Sequence, residues 1–201
     1  MRERGPLICC CATERCLQGW GEEQLLALGA ENDFFAAQIV PGKVRELAAH
    51  DRALSTLDHL TRGRLAWNIV SGLMESTARA VGLKSHIPHD ERYAVAEDYV
   101  ELMYKLWEAS WEDGAALRDK ARKVFVDPAR VHTISHEGPY LRANAIHLSE
   151  PSAQRTPLLF SAGSSPAGLE FVGRHAECAF ISYGSRDFAR KQVQQIRDKA
   201  V

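Results

Sequence analysis

Apolar residues recur along this chain at two spacings, one typical of helices and the other of buried strands. Leucines three and seven residues apart predict a helix over residues 44–60, and Gly63 follows where a helix end favours a residue that tolerates positive φ. The next segment, 64–70, is apolar along most of its length and ends on polar residues. This pattern predicts a strand that is covered on both faces, as in a parallel sheet.

The rest of the chain alternates between the same two patterns. A helical stripe predicts a long helix over 90–111, with Asp90 as its cap. Further along, the patterns predict two short extended pieces around a turn at 137–139, strands at 157–162 and 178–182, a helix after the first strand and a polar helix over 187–200. Strands separated by helices predict an α/β fold with a parallel sheet.

Two of the predicted turns carry candidate chemistry. Asn68 and Ser71 lie at the carboxyl end of the first strand, the edge at which parallel sheets collect their functional side chains. The strand predicted at 157–162 is followed by Gly163, Ser164 and Ser165 and then by a helix that begins with proline. A glycine that lets a ligand approach the backbone, two hydroxyls and a helix N-terminus together predict a phosphate site. The alternative is an ordinary capped turn between a strand and a helix.

His89 and Tyr93 are four residues apart at the start of the long helix, so they share one face. Both side chains can bind a phosphate or a sugar hydroxyl. A packed tyrosine and a capping histidine are the alternative. The pairs His86/His89 and His132/His136 lack a third ligand at a suitable spacing, so we expect no metal site.

Composition narrows the classes of function. The 201 residues allow one domain, and the net charge of −1 with dispersed basic residues gives no reason to expect nucleic acid or membrane binding. No apolar run reaches the roughly 20 residues of a membrane span. Four of the five cysteines lie in the first 16 residues without a zinc-ligand spacing, and we expect a poorly ordered tail there. An odd cysteine count without a secretion signal predicts reduced thiols and a cytoplasmic protein.

Five blocks of sequence, in order along the chain, resemble one enzyme family. The blocks are L-D-H-L-T-R-G-R-L-A-W-N-I-V-S (57–71), H-D-E-R-Y-A-V-A-E-D-Y (89–99), L-W-E-A-S-W-E-D (106–113), F-V-D-P-A-R-V-H-T-I-S-H-E-G-P-Y (125–140) and S-A-G-S-S-P-A-G-L-E-F-V-G-R-H-A-E-C-A-F (161–180). They resemble the bacterial-luciferase-like, flavin-dependent monooxygenases. The closest branch holds nitrilotriacetate monooxygenase, dibenzothiophene-sulfone monooxygenase and the pristinamycin synthase large subunit. The likeness spans roughly residues 44–183.

The resemblance implies a (β/α)₈ barrel that binds FMN at the carboxyl ends of its strands. A separate reductase would supply reduced FMN, which with O₂ oxygenates a small organic substrate. The family's contacts to the phosphate and ribityl chain match Ser71, His89, Tyr93, Ser164 and Ser165 here. Asn68 is a weaker candidate, either beside the flavin or structural.

The departures from the family pattern are concentrated in residues 1–40, which match it poorly, whereas residues 41–201 match part of the barrel domain. We therefore expect a partial barrel, truncated at both ends, with a fourth strand near 34–40 and with the segments that flank the flavin ring missing. Two functions stay open: an active monooxygenase, or a truncated, non-catalytic flavin-binding or subunit-interaction fragment. Exposed sheet edges would favour a homo-oligomer. An α/β hydrolase is disfavoured because the chain has no G-x-S-x-G motif.

Overall fold

The computed structural model describes residues 7–9, 44–71, 85, 87–181 and 184–200, with side chains from residue 50 onward. The described part contains α1 (Val44–Thr61), α2 (His89–Tyr104), α3 (Pro166–His175) and α4 (Arg186–Arg197). Its strands are β1 (Leu7–Cys9), β2 (Ala66–Ile69), β3 (Ala116–Asp119), β4 (Val124–Val126), β5 (Ile134–Glu137), β6 (Arg142–Ala145), β7 (Leu158–Ala162) and β8 (Cys178–Phe180).

The chain divides into two compact units. The first, which we call the sheet unit, takes in Met1–Ile39, Arg64–Tyr93 and Leu158–Val201. The second, which we call the hairpin unit, takes in Val40–Gly63 and Ala94–Pro157. Helix α2 begins in the sheet unit and continues in the hairpin unit, and both are described separately below.

The sheet unit is built on four parallel strands in the order β1-β8-β7-β2. Asn68 of β2 lies opposite Phe160 of β7, and Ser161 of β7 lies opposite Ala179 of β8. Because all four strands are parallel, their carboxyl ends share one edge of the sheet. Within the described residues the sheet is open, with β1 and β2 at its edges.

Helices α3 and α4 pack together and against β8 in the sheet unit. Their shared core is apolar and buried, and consists of Leu169, Val172, Ala176, Ala179, Ile181, Ala189 and Ile196. Burying one Val, Leu or Ile side chain stabilises a fold by about 1.5–3 kcal/mol. Each helix begins at a serine cap, since Ser165 Oγ accepts from Gly168 N–H and Ser185 Oγ accepts from Phe188 N–H.

The hairpin unit joins α1 and the later part of α2 to two antiparallel hairpins, β3–β4 and β5–β6. The buried Asp98 carboxylate holds the second hairpin: it lies 2.7 Å from His136 Nε2 and accepts the N–H groups of Tyr140 and Leu141 at 2.8 and 2.7 Å. A Cβ at Gly138 would overlap this carboxylate, so only glycine leaves room for it.

Most of the predicted elements are confirmed, with local corrections. Gly63 has φ +78° just after α1, as the sequence predicts. The long helix begins at His89, so Asp90 lies inside its first turn rather than at the cap, and the α-helix gives way to a π-helical turn at Lys105–Ala109. Strand β2 is not covered equally on both faces, because Trp67 and Ile69 are buried whereas its other two residues are half-buried.

Three further expectations concern the termini and the sheet. The expected poorly ordered tail is wrong for Leu7–Cys9, which forms β1 beside β8. The other cysteines of the N-terminal cluster and the strand expected near 34–40 lie outside the described residues.

Among the helices of the described part, none is long and apolar enough to cross a membrane.

Candidate functional site

The turn between β7 and α3 brings two stretches of backbone into near contact. A Cβ built on Gly163 would lie 2.8 Å from the backbone of Gly168, closer than real Cβ atoms approach. Ser165 caps α3 by accepting the N–H of Gly168 at 3.1 Å, and Pro166 occupies the first helical position. The predicted cap is therefore confirmed, and glycine is required at 163 by the space available.

Donors remain at this turn after the cap is made. Ser165 Oγ serves as an acceptor for Gly168, so its O–H hydrogen is still available. Pro166 has no N–H, which leaves that of Ala167 as a first-turn donor. Ser164 is exposed beside them. Hydroxyls, a free amide and the positive end of a helix dipole together form an environment that stabilises an anion.

Tyr93 lies at the same helix N-terminus. Its hydroxyl oxygen is 2.8 Å from the position that a Cβ on Gly168 would occupy, and Ser165 Oγ is 3.0 Å from that position. The hydrogen bonds found among the described residues include none from the Tyr93 hydroxyl. The structure thus places Tyr93, Ser165 and the α3 N-terminus together, although they come from separate segments of the sequence.

His89 is packed edge-on against Tyr93, with ring centroids 5.2 Å apart. Its Nδ1 lies 2.7 Å from Asp90 Oδ1. A carboxylate accepts hydrogen bonds, so this contact places the hydrogen of a neutral imidazole on Nδ1 and leaves Nε2 as an acceptor. Only the protonated ring would donate from Nε2 to a phosphate. The His89 side chain is about half exposed, so a ligand can reach it.

Asn68 and Ser71 come from the neighbouring strand. Ile69 pairs with Ser161, so Ser71 follows β2 at the edge at which Gly163 follows β7. The hydrogen bonds among the described residues include none between Ser71 and the β7–α3 turn. Asn68 is half-buried, and its side-chain oxygen is buried without a hydrogen-bond partner in the described part of the chain. An unpaired buried acceptor is costly, which makes Asn68 a position where a ligand donor would be stabilising.

Two residues of this site were not singled out from the sequence. Gly168 provides the surface against which the Tyr93 hydroxyl lies, and Phe171 packs on the Tyr93 ring with centroids 5.8 Å apart. A glycine inside the first turn of a helix is the signal that would identify Gly168, because glycine is unfavourable in helices. Phe171 carries no such signal, since it reads as an ordinary core position.

Other polar clusters of the described residues serve the hairpin unit. His147 lies 2.7 Å from Asp51 and 3.1 Å from Ser55, an arrangement like a hydrolytic triad, but all three side chains are buried from any substrate. His132 and His136 each contact their own carboxylate, Glu112 and Asp98 respectively. The described residues contain no group of three or more potential metal ligands, and His86 lies outside them.

Comparison with known sequences places the chain in a family. Residues 35–200 match the luciferase-like monooxygenase family model. The chain is 50% identical over 149 residues to a dimethyl-sulfide monooxygenase from Hyphomicrobium sulfonivorans, a match that covers 74% of this chain and 31% of that protein. It is 46% identical over 151 residues to a long-chain alkane monooxygenase from Geobacillus thermodenitrificans, which covers 75% and 34%.

The branch named from the sequence is among the relatives: a dibenzothiophene-sulfone monooxygenase from Rhodococcus erythropolis is 41% identical over 129 residues, covering 64% of this chain and 28% of that protein. The chain thus spans about a third of the length of the curated relatives it matches, between 31 and 34% for the first two.

Solved structures agree with the sequence relatives. A crystal structure of long-chain alkane monooxygenase superposes with a TM-score of 0.76 at 43% identity, over 83% of this chain and 37% of that one. A riboflavin lyase, solved with modified FMN and riboflavin, gives a TM-score of 0.74 at 38% identity, over 89% and 40%. The α/β architecture predicted from the sequence is therefore confirmed, and the chain belongs to the luciferase-like monooxygenase family.

Proposed function

We propose that this chain contributes the FMN-binding part of a flavin-dependent monooxygenase, with the FMN phosphate held at the turn between β7 and α3. One observation carries the proposal: the Gly163–Gly168 contact brings a serine-capped helix N-terminus next to the Tyr93 hydroxyl, which donates no hydrogen bond within the described residues. Such a cradle of donors suits a phosphate. It also agrees with the riboflavin lyase relative, which was solved with a modified FMN.

The residues present fit a bound phosphate monoester. Ser164, Ser165 and the Ala167 amide would donate from the α3 side, and Tyr93 would donate from α2. His89 would add a charge-assisted hydrogen bond when its ring is protonated. No carboxylate takes part in the turn itself, and Asp90 makes its contact with His89 Nδ1. The charge at the turn is therefore suited to an anion.

Farther along the sheet edge, Ser71 and Asn68 are proposed to contact the rest of the flavin. Ser71 follows β2 at the shared carboxyl edge, where its hydroxyl would form a hydrogen bond with a ribityl hydroxyl. The buried, unpaired oxygen of Asn68 would accept a hydrogen bond from a flavin N–H or hydroxyl group. Both roles are positional, because side chains on strand ends hold a ligand in a fixed orientation.

Bound reduced FMN would supply the electrons with which O₂ is activated to oxygenate a small organic substrate. The chain's own residues would bind the phosphate and orient the flavin. The proposed partners are a reductase that supplies reduced FMN in the cytoplasm, the substrate and O₂. Two-component relatives support this assignment, since one is named nitrilotriacetate monooxygenase component A.

The described sheet is proposed to be part of a (β/α)₈ barrel. In the parallel sheet, β2, β7 and β8 lie side by side in the order in which they occur along the chain, as the strands of a (β/α)₈ barrel do. In this account residues 41–201 form the barrel domain, and residues 1–40 are a poorly matching N-terminal segment whose strand β1 pairs with β8. Among the described strands β1 and β2 form the edges of the sheet, and further strands or a second copy of the chain could pair there.

The second candidate is a non-catalytic flavin-binding or subunit-interaction chain. The described residues support it to the extent that the sheet they form is open, because a monooxygenase needs a closed, dry pocket around its flavin. Titration with FMN, oxidised and then reduced under anaerobic conditions, separates the candidates. Saturable binding that is tighter for reduced FMN supports the monooxygenase, and oxygenated product must follow when O₂ and a sulfide or alkane are added. Binding without turnover leaves the flavin-binding form of the second candidate. A folded chain that does not bind FMN contradicts the monooxygenase and leaves only the subunit-interaction chain.

A further inference from the structure

Four aromatic rings form a continuous row through the sheet unit. His89 lies 5.2 Å from Tyr93, Tyr93 lies 5.8 Å from Phe171, and Phe171 lies 4.9 Å from His175, all measured between ring centroids. Two of these rings belong to the first turn of α2 and two belong to α3. The row therefore joins the candidate phosphate donors of α2 to the helix whose N-terminus forms the phosphate site.

Helix α3 presents a stepped surface to Tyr93. Gly168, Phe171 and His175 fall three and four residues apart, so they lie along one face of the helix. Gly168 has no side chain and leaves space for the Tyr93 hydroxyl, whereas Phe171, one turn later, supports the Tyr93 ring. Phe171 is only 3% exposed, so its own ring is fixed by the surrounding core. Because the Phe171 ring packs directly on the Tyr93 ring, it restricts the movement of Tyr93.

Packing has to fix Tyr93 because the hydrogen bonds among the described residues include none from its hydroxyl. A hydrogen bond weakens steeply as its angle departs from linear, so an unsupported phenol would donate poorly to a phosphate. A ring held before the ligand arrives loses less conformational entropy on binding. The residue that holds the ring therefore affects affinity without contacting the ligand.

We propose that Phe171 is a positioning residue, which fixes the Tyr93 hydroxyl for the phosphate of FMN and so contributes to the preference for FMN over riboflavin. This inference rests on the proposed function and adds to it a residue that makes no contact with the flavin. Riboflavin lacks the phosphate but shares the ring and ribityl chain. A residue acting through Tyr93 should therefore change the affinity for FMN and leave that for riboflavin unchanged.

The test measures the dissociation constants of FMN and riboflavin for four proteins: the wild-type chain, Tyr93→Phe, Phe171→Leu and the double variant. We expect Tyr93→Phe to weaken FMN binding about tenfold, the usual effect of one hydrogen bond to a charged group. Phe171→Leu should give a loss of several-fold for FMN alone. The double variant should be no weaker than Tyr93→Phe, because Phe171 acts only through the hydroxyl that this change removes.

Val172→Ala is the matched control. Val172 is fully buried in the same helix but belongs to the core shared with Ala179 and Ile196. Its truncation should lower stability without altering the ratio of the two dissociation constants. If Phe171→Leu does not fold, Phe171→Met keeps most of the volume without a flat ring, and we expect the same selective loss from it.

The outcomes separate this inference from the proposed function. If Tyr93→Phe lowers FMN affinity and Phe171→Leu leaves the FMN-to-riboflavin ratio unchanged, the phosphate site stands and the role of Phe171 is overturned. An additive loss in the double variant also overturns it. If the wild-type chain binds riboflavin as tightly as FMN, the phosphate site itself is wrong, and the inference is overturned with it.

Discussion

The hydroxyl oxygen of Tyr93 lies 2.8 Å from the point at which a side chain on Gly168 would begin. This single approach links the first turn of α2 to the first turn of α3. It explains why a glycine occupies a helical position where alanine would otherwise be favoured by about 1 kcal/mol. The space left by the missing side chain is the space that the Tyr93 hydroxyl uses.

Gly168→Ala should therefore weaken FMN binding without unfolding the chain. The added methyl group would displace the Tyr93 hydroxyl, and it would crowd Ser165 Oγ and Gly163 at 3.0 Å. Higher helix propensity offsets part of this crowding, so we expect the free energy of unfolding to change by less than about 1 kcal/mol. Calorimetric titration with FMN and urea unfolding measure the two effects.

Gly184→Ala is the control for that variant, since the nearest atom to its Cβ would be 4.0 Å away, on Phe188. Its FMN affinity should equal that of the wild-type chain. Unchanged affinity in Gly168→Ala as well would show that the Tyr93 hydroxyl does not contact the ligand.

Gly163→Ala should be more damaging, because its Cβ would lie 2.8 Å from backbone atoms that cannot rotate away. The end of β7 or the start of α3 must shift, and overpacking of this kind costs about 1–3 kcal/mol. We expect both a lower thermal midpoint and the loss of FMN binding. A variant with wild-type stability would mean that the two stretches of backbone are farther apart in solution.

The sequence was sufficient where the signal is local. The Ser165 cap and Pro166 at the start of α3 follow from neighbouring residues, and the structure confirms them. The contact between Tyr93 and Gly168 joins distant segments, so no local pattern predicts it. The sequence pattern does not predict the β3–β4 hairpin, for another reason. Its apolar residues Leu117 and Phe125 are exposed, so apolar and polar positions do not alternate along these strands as they do in a half-buried strand.

Asp98 should contribute strongly to the stability of the hairpin unit. Its buried carboxylate contacts His136 and accepts two backbone N–H groups, so its removal leaves several buried polar groups unpaired. Leaving a buried polar group without its hydrogen bond costs about 1–3 kcal/mol, and more for a charged group. We expect Asp98→Ala to lower the free energy of unfolding by an amount of that order, measured by urea titration.

Glu112 provides a matched comparison for Asp98. It contacts His132 at the same 2.7 Å distance, but both side chains are about half exposed. Exposed pairs contribute about 0–1 kcal/mol, so Glu112→Gln should have little effect. Equal losses from the two variants would contradict the assignment of Asp98 as the buried anchor.

His50 makes stability depend on pH. Burial lowers the pKa of His50 to about 4 from 6.5, against a smaller opposite effect of Asp51, and Nδ1 lies 2.6 Å from the Tyr99 hydroxyl. Between pH 6.5 and 4 the unfolded chain binds a proton at this site that the folded chain does not. Stability should therefore fall as the pH drops through that window, by on the order of 3 kcal/mol.

Urea unfolding at pH 7 and pH 4.5 measures this effect. His50→Asn, which has no titratable group, should lose less stability between the two values than the wild-type chain. The same loss in both proteins would assign the pH dependence to other groups.

The FMN affinity of Ser165→Ala/His89→Ala, measured beside the wild-type chain by flavin fluorescence, tests the central claim most directly. Ser165 caps α3 and faces Tyr93 across Gly168, and His89 packs on Tyr93, so the two changes remove a hydroxyl donor from α3 and the imidazole from α2. We expect saturable FMN binding to the wild-type chain and a loss of at least tenfold in the folded double variant. Equal FMN affinity in the two proteins would contradict a phosphate site at the β7–α3 turn.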